Sequence, residues 1–143
     1  MSKFLAPYIT VAEYKCKCGC GLPPAFDDDG TDVPTVYTDL FDDFSLIRGQ
    51  LGKPIVISSG YRCPLYNKSI GGSLLSVHMF GLALDLDVEP GDVFALDSLI
   101  EELTPYLRRG KYTETGSFIH IDNAYEIYPI VSRNWQQGVR WNG

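Results

Sequence analysis

The chain contains two histidines, His78 and His120, and each stands in a stretch suited to holding a divalent cation. The first stretch is Ser76-Val77-His78-Met79-Phe80-Gly81-Leu82-Ala83-Leu84-Asp85, and the second is Phe118-Ile119-His120-Ile121-Asp122. Two imidazoles and one carboxylate can bind zinc and leave a fourth position open, the arrangement that separates a catalytic zinc from a closed structural one. A lone histidine on a strand more often makes a structural hydrogen bond. An aspartate on an alternating apolar strand is a different matter, because burying it is costly unless something neutralises it.

The elements that must position these groups follow from periodicity. Leu82 to Val88 reads as a strand with Asp85 and Asp87 on one face, and Phe118 to Asp122 as a strand with His120 and Asp122 on one face. If these strands are neighbours, a carboxylate and an imidazole converge, and the His78 loop closes the site. Gly81 would let the chain turn between His78 and its strand. Val36, Tyr37, Leu40, Phe41, Phe44, Ile47 and Leu51 recur at helical spacing, with Thr35 as N-cap. A second amphipathic helix starts near Asp92, and Pro105 should end or kink it. Pro54 to Ser58 reads as a short buried strand, and Ser59 to Val77 as a long functional loop. The tail through Trp135 to Trp141 reads as an edge strand. Segregated strands and helices indicate an α+β domain, and no linker divides residues 1–143.

Composition bounds the function. A net charge of -6 argues against a nucleic-acid partner, which needs a basic patch. No apolar run reaches the roughly 18–20 residues of a membrane span. The start lacks the apolar segment of a signal peptide, so the chain is expected to begin in the cytoplasm. Cys16, Cys18 and Cys20 are separated by single residues, closer than the two to four usual in zinc knuckles. Reduced thiols are the expected state; a second metal, or a disulfide to Cys63, are the alternatives.

Other chemistries fit less well. The HExxH helix and the G-x-S-x-G elbow are both absent. Asp27-Asp28-Asp29-Gly30 fails as a calcium loop, because Ala25 and Val36 fall on ligand positions. Nothing marks Cys63, which precedes Pro64, as the activated thiol of a Cys63–His120 dyad.

Ser59-Gly60-Tyr61-Arg62, Asn67, Gly71-Gly72, the S-x-H-x-x-G-x-A-x-D element and a late His-x-Asp together resemble the zinc D-Ala-D-Ala carboxypeptidase family. That family includes phage L-alanyl-D-glutamate endolysins and shares its fold with the Hedgehog signalling domain. The likeness runs from about Phe4 to Trp141 and is nearest to short phage-type members. It implies an antiparallel sheet with helices packed on one side, a zinc cofactor, and His78, Asp85 and His120 as its ligands. It also implies that Arg62 contacts the substrate carbonyl region and that Ser76 binds substrate or braces its loop. Several members carry Glu, Asp or His three residues before the last ligand, where this chain has Ser117. The expected base is therefore Asp122 or, second, Glu114, with Asp122 equally suited to orienting an imidazole.

Two functions follow from the resemblance. One is a peptidase acting on the peptide stems of bacterial peptidoglycan, as carboxypeptidase or endopeptidase, after release from the cell or within a phage particle. The other is a non-catalytic zinc module used as a virion component or wall-binding domain.

Overall fold

A computed structural model describes residues 3–26, 33–113, 117–127 and 135–142. The N-terminal segment forms a small hairpin, β1 (Phe4–Ala6) and β2 (Ile9–Thr10), followed by the one-turn helix α1 (Val11–Tyr14). A capping box starts α1: Thr10 Oγ1 accepts from Glu13 N–H, and Glu13 Oε1 accepts from Thr10 N–H.

The long helix α2 (Thr35–Leu51) buries Leu40, Phe41, Phe44 and Ile47 completely. Each such side chain contributes roughly 1.5–3 kcal/mol of burial. Its N-cap is Pro34, which supplies no side-chain capping bond, rather than Thr35, which is the first helical residue. Gly52 ends it in the left-handed conformation, at φ 70°. Helix α4 (Val93–Leu103) packs beside α2 and stops at Thr104, one residue before Pro105.

The main sheet comprises β3 (Val56–Ser59), β4 (Ala83–Asp87), β5 (Arg108–Tyr112), β6 (Phe118–Asp122) and β7 (Arg140–Asn142), in the order β3-β4-β6-β5-β7. All pairs are antiparallel except β5 with β7, so the expected edge strand is present but runs parallel to its neighbour. β3 is an edge strand too, with Val56 61% exposed and Ile57 buried, not the fully buried strand expected from its β-branched run. The segment Ser59–Val77 is not all loop. It holds the short helix α3 (Pro64–Ser69), begun by Cys63 as N-cap with proline in the first position.

Alternation divides the sheet into two faces. Ile57, Leu84, Leu86, Ile119 and Ile121 join one hydrophobic cluster with the buried residues of α2 and α4. The antiparallel sheet with helices on one side is therefore the observed α+β architecture. Asp85 and His120 fall on the opposite face, where a 3-10 turn (Val77–Phe80) packs against β4. The aspartate-rich run 27–30 lies outside the described residues, as does Glu114. No helix among the described residues is long and apolar enough to cross a membrane.

Candidate metal centre

β4 and β6 are adjacent, and their register sets Asp85 directly opposite His120. Asp85 Oδ1 lies 3.1 Å from His120 Nδ1 and 3.2 Å from His78 Nε2. One ligand atom from each of His78, Asp85 and His120 lies within 4.8 Å of the others. The three groups sit in a cleft of about 440 Å³ that Arg62, Ser76, Arg108, Tyr112, Trp135 and Trp141 also line.

His78 is positioned by its turn. Ser76 caps that turn, its Oγ accepting from His78 N–H at 3.2 Å, and Gly81 ends it at φ 74°. A Cβ on Gly81 would meet Tyr14 Oη at 2.5 Å, so glycine is required there on both counts. The ring of His78, 3% exposed, donates from Nδ1 to the Gly60 carbonyl at 2.7 Å. That bond leaves the lone pair on Nε2, which is buried and has no hydrogen-bond partner. Burial pushes the His78 pKa below its ordinary value and outweighs the attraction of Asp85. His78 therefore offers a neutral nitrogen toward Asp85.

His120 is held differently. Its Nδ1 donates to Asp85 and its Nε2 donates to Asp122 Oδ2 at 2.6 Å. Burial alone would lower its pKa, but the bonds to Asp122 and Asp85 win and push it up to about 9. Burial works to raise the Asp85 pKa, yet the bond from His120 and its positive charge hold that carboxyl well below the usual range.

Asp122 is on the same strand face as His120, but its carboxylate does not line the cleft. It is 0% exposed, and beyond the His120 bond its Oδ1 accepts from Arg108 Nε at 2.9 Å and from Ala124 N–H at 3.1 Å. Both of its oxygens are engaged and the group is fully buried, which suits orientation of His120 and keeps the carboxylate out of reach of a water in the cleft. Arg108, which sequence reasoning did not single out, reaches the cleft from β5 with its guanidinium 5.2 Å from the Trp141 ring centroid. Its signal is weak in the sequence because Arg108-Arg109-Gly110-Lys111-Tyr112 has little strand character.

Arg62 donates to Ser59 Oγ, to Asn67 Oδ1 and to Asp85 Oδ2, at 3.0, 3.2 and 3.4 Å. Asn67 is braced in turn by donating to the Ser73 carbonyl at 2.8 Å. A Cβ on Gly72 would fall 2.1 Å from Asn67 Oδ1, so the motif glycine makes room for that bracing amide.

The chain matches the family described as Peptidase M15 over residues 7–122, while a search of curated proteins gave no match. The match takes in Arg62, His78, Asp85, Arg108, His120 and Asp122. The chain belongs to the peptidase M15 family and is a metallopeptidase by that membership.

Proposed function

We propose that this chain is a zinc peptidase that hydrolyses the peptide stems of bacterial peptidoglycan at bonds involving a D-amino acid. The observation that carries this reading is the convergence of His78 Nε2, Asp85 and His120 Nδ1 in an open cleft, with one buried nitrogen lacking a partner. Two imidazoles and a carboxylate fit zinc and leave room for a further ligand. When bound, zinc supplies Lewis acidity, polarising a carbonyl and acidifying water.

The remaining chemistry belongs to the chain. Asp122 fixes the His120 ring by accepting its Nε2 proton, so that Nδ1 faces Asp85. Arg62 is held in the cleft by Ser59 and Asn67 and stabilises negative charge developing on the scissile carbonyl oxygen. Arg108 adds a second guanidinium, which suits a substrate bearing carboxylates, as stem peptides do. Ser76 braces the His78 turn and lines the cleft. With Asp122 engaged on both oxygens, the role of general base passes to Glu114, which takes a proton from water and gives it to the leaving amine. The phage-like sequence resemblance supports action on the wall after release or from within a particle.

The test is amine release from purified peptidoglycan and from a D-Ala-terminated peptide by zinc-loaded protein. Turnover is expected in the wild type and loss of it in His120→Ala; full activity in that variant overturns the reading. Glu114→Gln should retain zinc and lose turnover.

A second reading has one observation in its favour. Among the described residues lining the cleft, Asp85 is the sole carboxylate. A wall-binding or virion module of this fold would bind zinc and peptidoglycan without hydrolysis, and metal-dependent hydrolysis would exclude it.

A further inference from the structure

Away from the cleft, the chain gathers its four cysteines at one point. Cys16, Cys18 and Cys20 come from the loop after α1, and Cys63 comes from the start of α3. Their Sγ atoms all lie within 4.8 Å of one another. Cys16 to Cys18 is 3.4 Å and Cys18 to Cys63 is 3.6 Å. All four are free thiols.

These separations suit four ligands of one ion. With Zn–S near 2.3 Å, the edge of a tetrahedral thiolate site is about 3.8 Å. A disulfide would need about 2.05 Å. The loop achieves this spacing with single-residue spacers because it folds back on itself. Gly19 N–H donates to the Cys16 carbonyl and Cys16 N–H to the Gly21 carbonyl, at 3.1 and 3.0 Å. Gly19 at φ 89° and Gly21 at φ 107° take backbone conformations that other residues rarely adopt.

Backbone donors already point at the sulfurs. Cys63 N–H donates to Cys16 Sγ at 3.3 Å, and Tyr66 N–H donates to Cys63 Sγ at 3.4 Å. Such N–H···S bonds favour thiolates and orient them as ligands. Four thiolates this close would repel one another strongly without a cation between them.

We propose that Cys16, Cys18, Cys20 and Cys63 bind a second zinc ion in a closed, structural site distinct from the His78–Asp85–His120 centre. Each thiol releases its proton to solvent as its sulfur coordinates, so binding strengthens as the pH rises. With all four positions taken by protein, the ion offers no place for substrate. Its role follows from where the sulfurs are anchored. Cys63 is next to Arg62, and Tyr61 N–H donates to the Tyr14 carbonyl at 2.8 Å. Gly60 has no space for a side chain against Tyr14, and its carbonyl holds His78. The second ion therefore clamps the N-terminal segment to the stretch that presents Arg62 and orients His78.

Cobalt substitution of the full chain under reducing conditions tests this, because thiolate coordination gives an intense charge-transfer absorption that histidine and carboxylate ligands lack. The wild type should bind about two equivalents of metal and show that absorption. Cys18→Ser/Cys20→Ser, which alters the two exposed cysteines, should lose the absorption and about one equivalent. His120→Ala should also bind about one equivalent but keep the absorption, so failure of the cleft site and failure of the cysteine site read out separately. Should the cysteine variant not fold, alkylation of the wild type decides the matter: the four thiols should resist a thiol reagent until a strong chelator is added. Absence of the charge-transfer band, equal alkylation with and without metal, or an intact mass showing disulfides would each overturn the proposal.

Discussion

His120 hands a different carboxylate to each of its nitrogens, and this couples its proton to metal binding. In the metal-free protein both nitrogens donate, so the ring stays charged up to about pH 9. A cation on Nδ1 must displace that proton. Zinc affinity should therefore rise with pH and level off above about 9, as competition against a chromogenic chelator at stepped pH would report. A pH-independent affinity would contradict the assignment. For stability the sign is the reverse: a raised histidine pKa stabilises the metal-free fold below its ordinary value of 6.5, and the gain is lost as pH climbs through about 9. Asp122→Asn should weaken zinc binding by about 10–100-fold, because it removes the carboxylate that fixes the ring. Arg62→Ala should lower kcat by about 10²–10³-fold with zinc content unchanged, if its guanidinium carries developing charge. Its neighbour Ser76 is worth about 1 kcal/mol as the cap of the His78 turn, which urea unfolding of Ser76→Ala would measure.

At the scale of elements, the pairing of β4 with β6 and of β6 with β5 makes the site. The register places Gly110 beside His120 on β5, and the Trp141 ring occupies the space a Gly110 side chain would need. A Cβ there would come within 2.3 Å of that ring. Gly110→Ala should destabilise the protein by about 1–3 kcal/mol and shift indole fluorescence, as Trp141 is pushed from its place over His120. The two faces of the sheet also predict unequal costs. Leu84→Ala empties a position fully buried under the helices and should cost about 2–5 kcal/mol. Val56→Ala, on the exposed side of an edge strand, should stay within about 0.5 kcal/mol. Denaturant midpoints compare them directly.

For the molecule as a whole, the candidate ligand groups, scattered from position 16 to position 120, meet only in the native state, so a metal bound by them would add to folding stability. Zinc at roughly a thousand times its Kd adds about 4 kcal/mol, so chelation should lower Tm by several degrees. Calorimetry with and without chelator measures this. Much of the frame was readable beforehand: the apolar periodicity of α2 and α4, the strands carrying Asp85 and His120, and the motif that led to the family. Those features are local, because period and residue type act within a few positions of the chain. β5 was missed because Arg108-Arg109-Gly110-Lys111-Tyr112 owes its strand state to its neighbours on either side, not to its own propensity. The occupied oxygens of Asp122 were hidden for the same reason, and the meeting of Cys63 with the glycine-rich loop could be raised from the sequence only as one alternative. Each depends on atoms brought together across long stretches of chain, and only the packed sheet and its register decide which side chains meet.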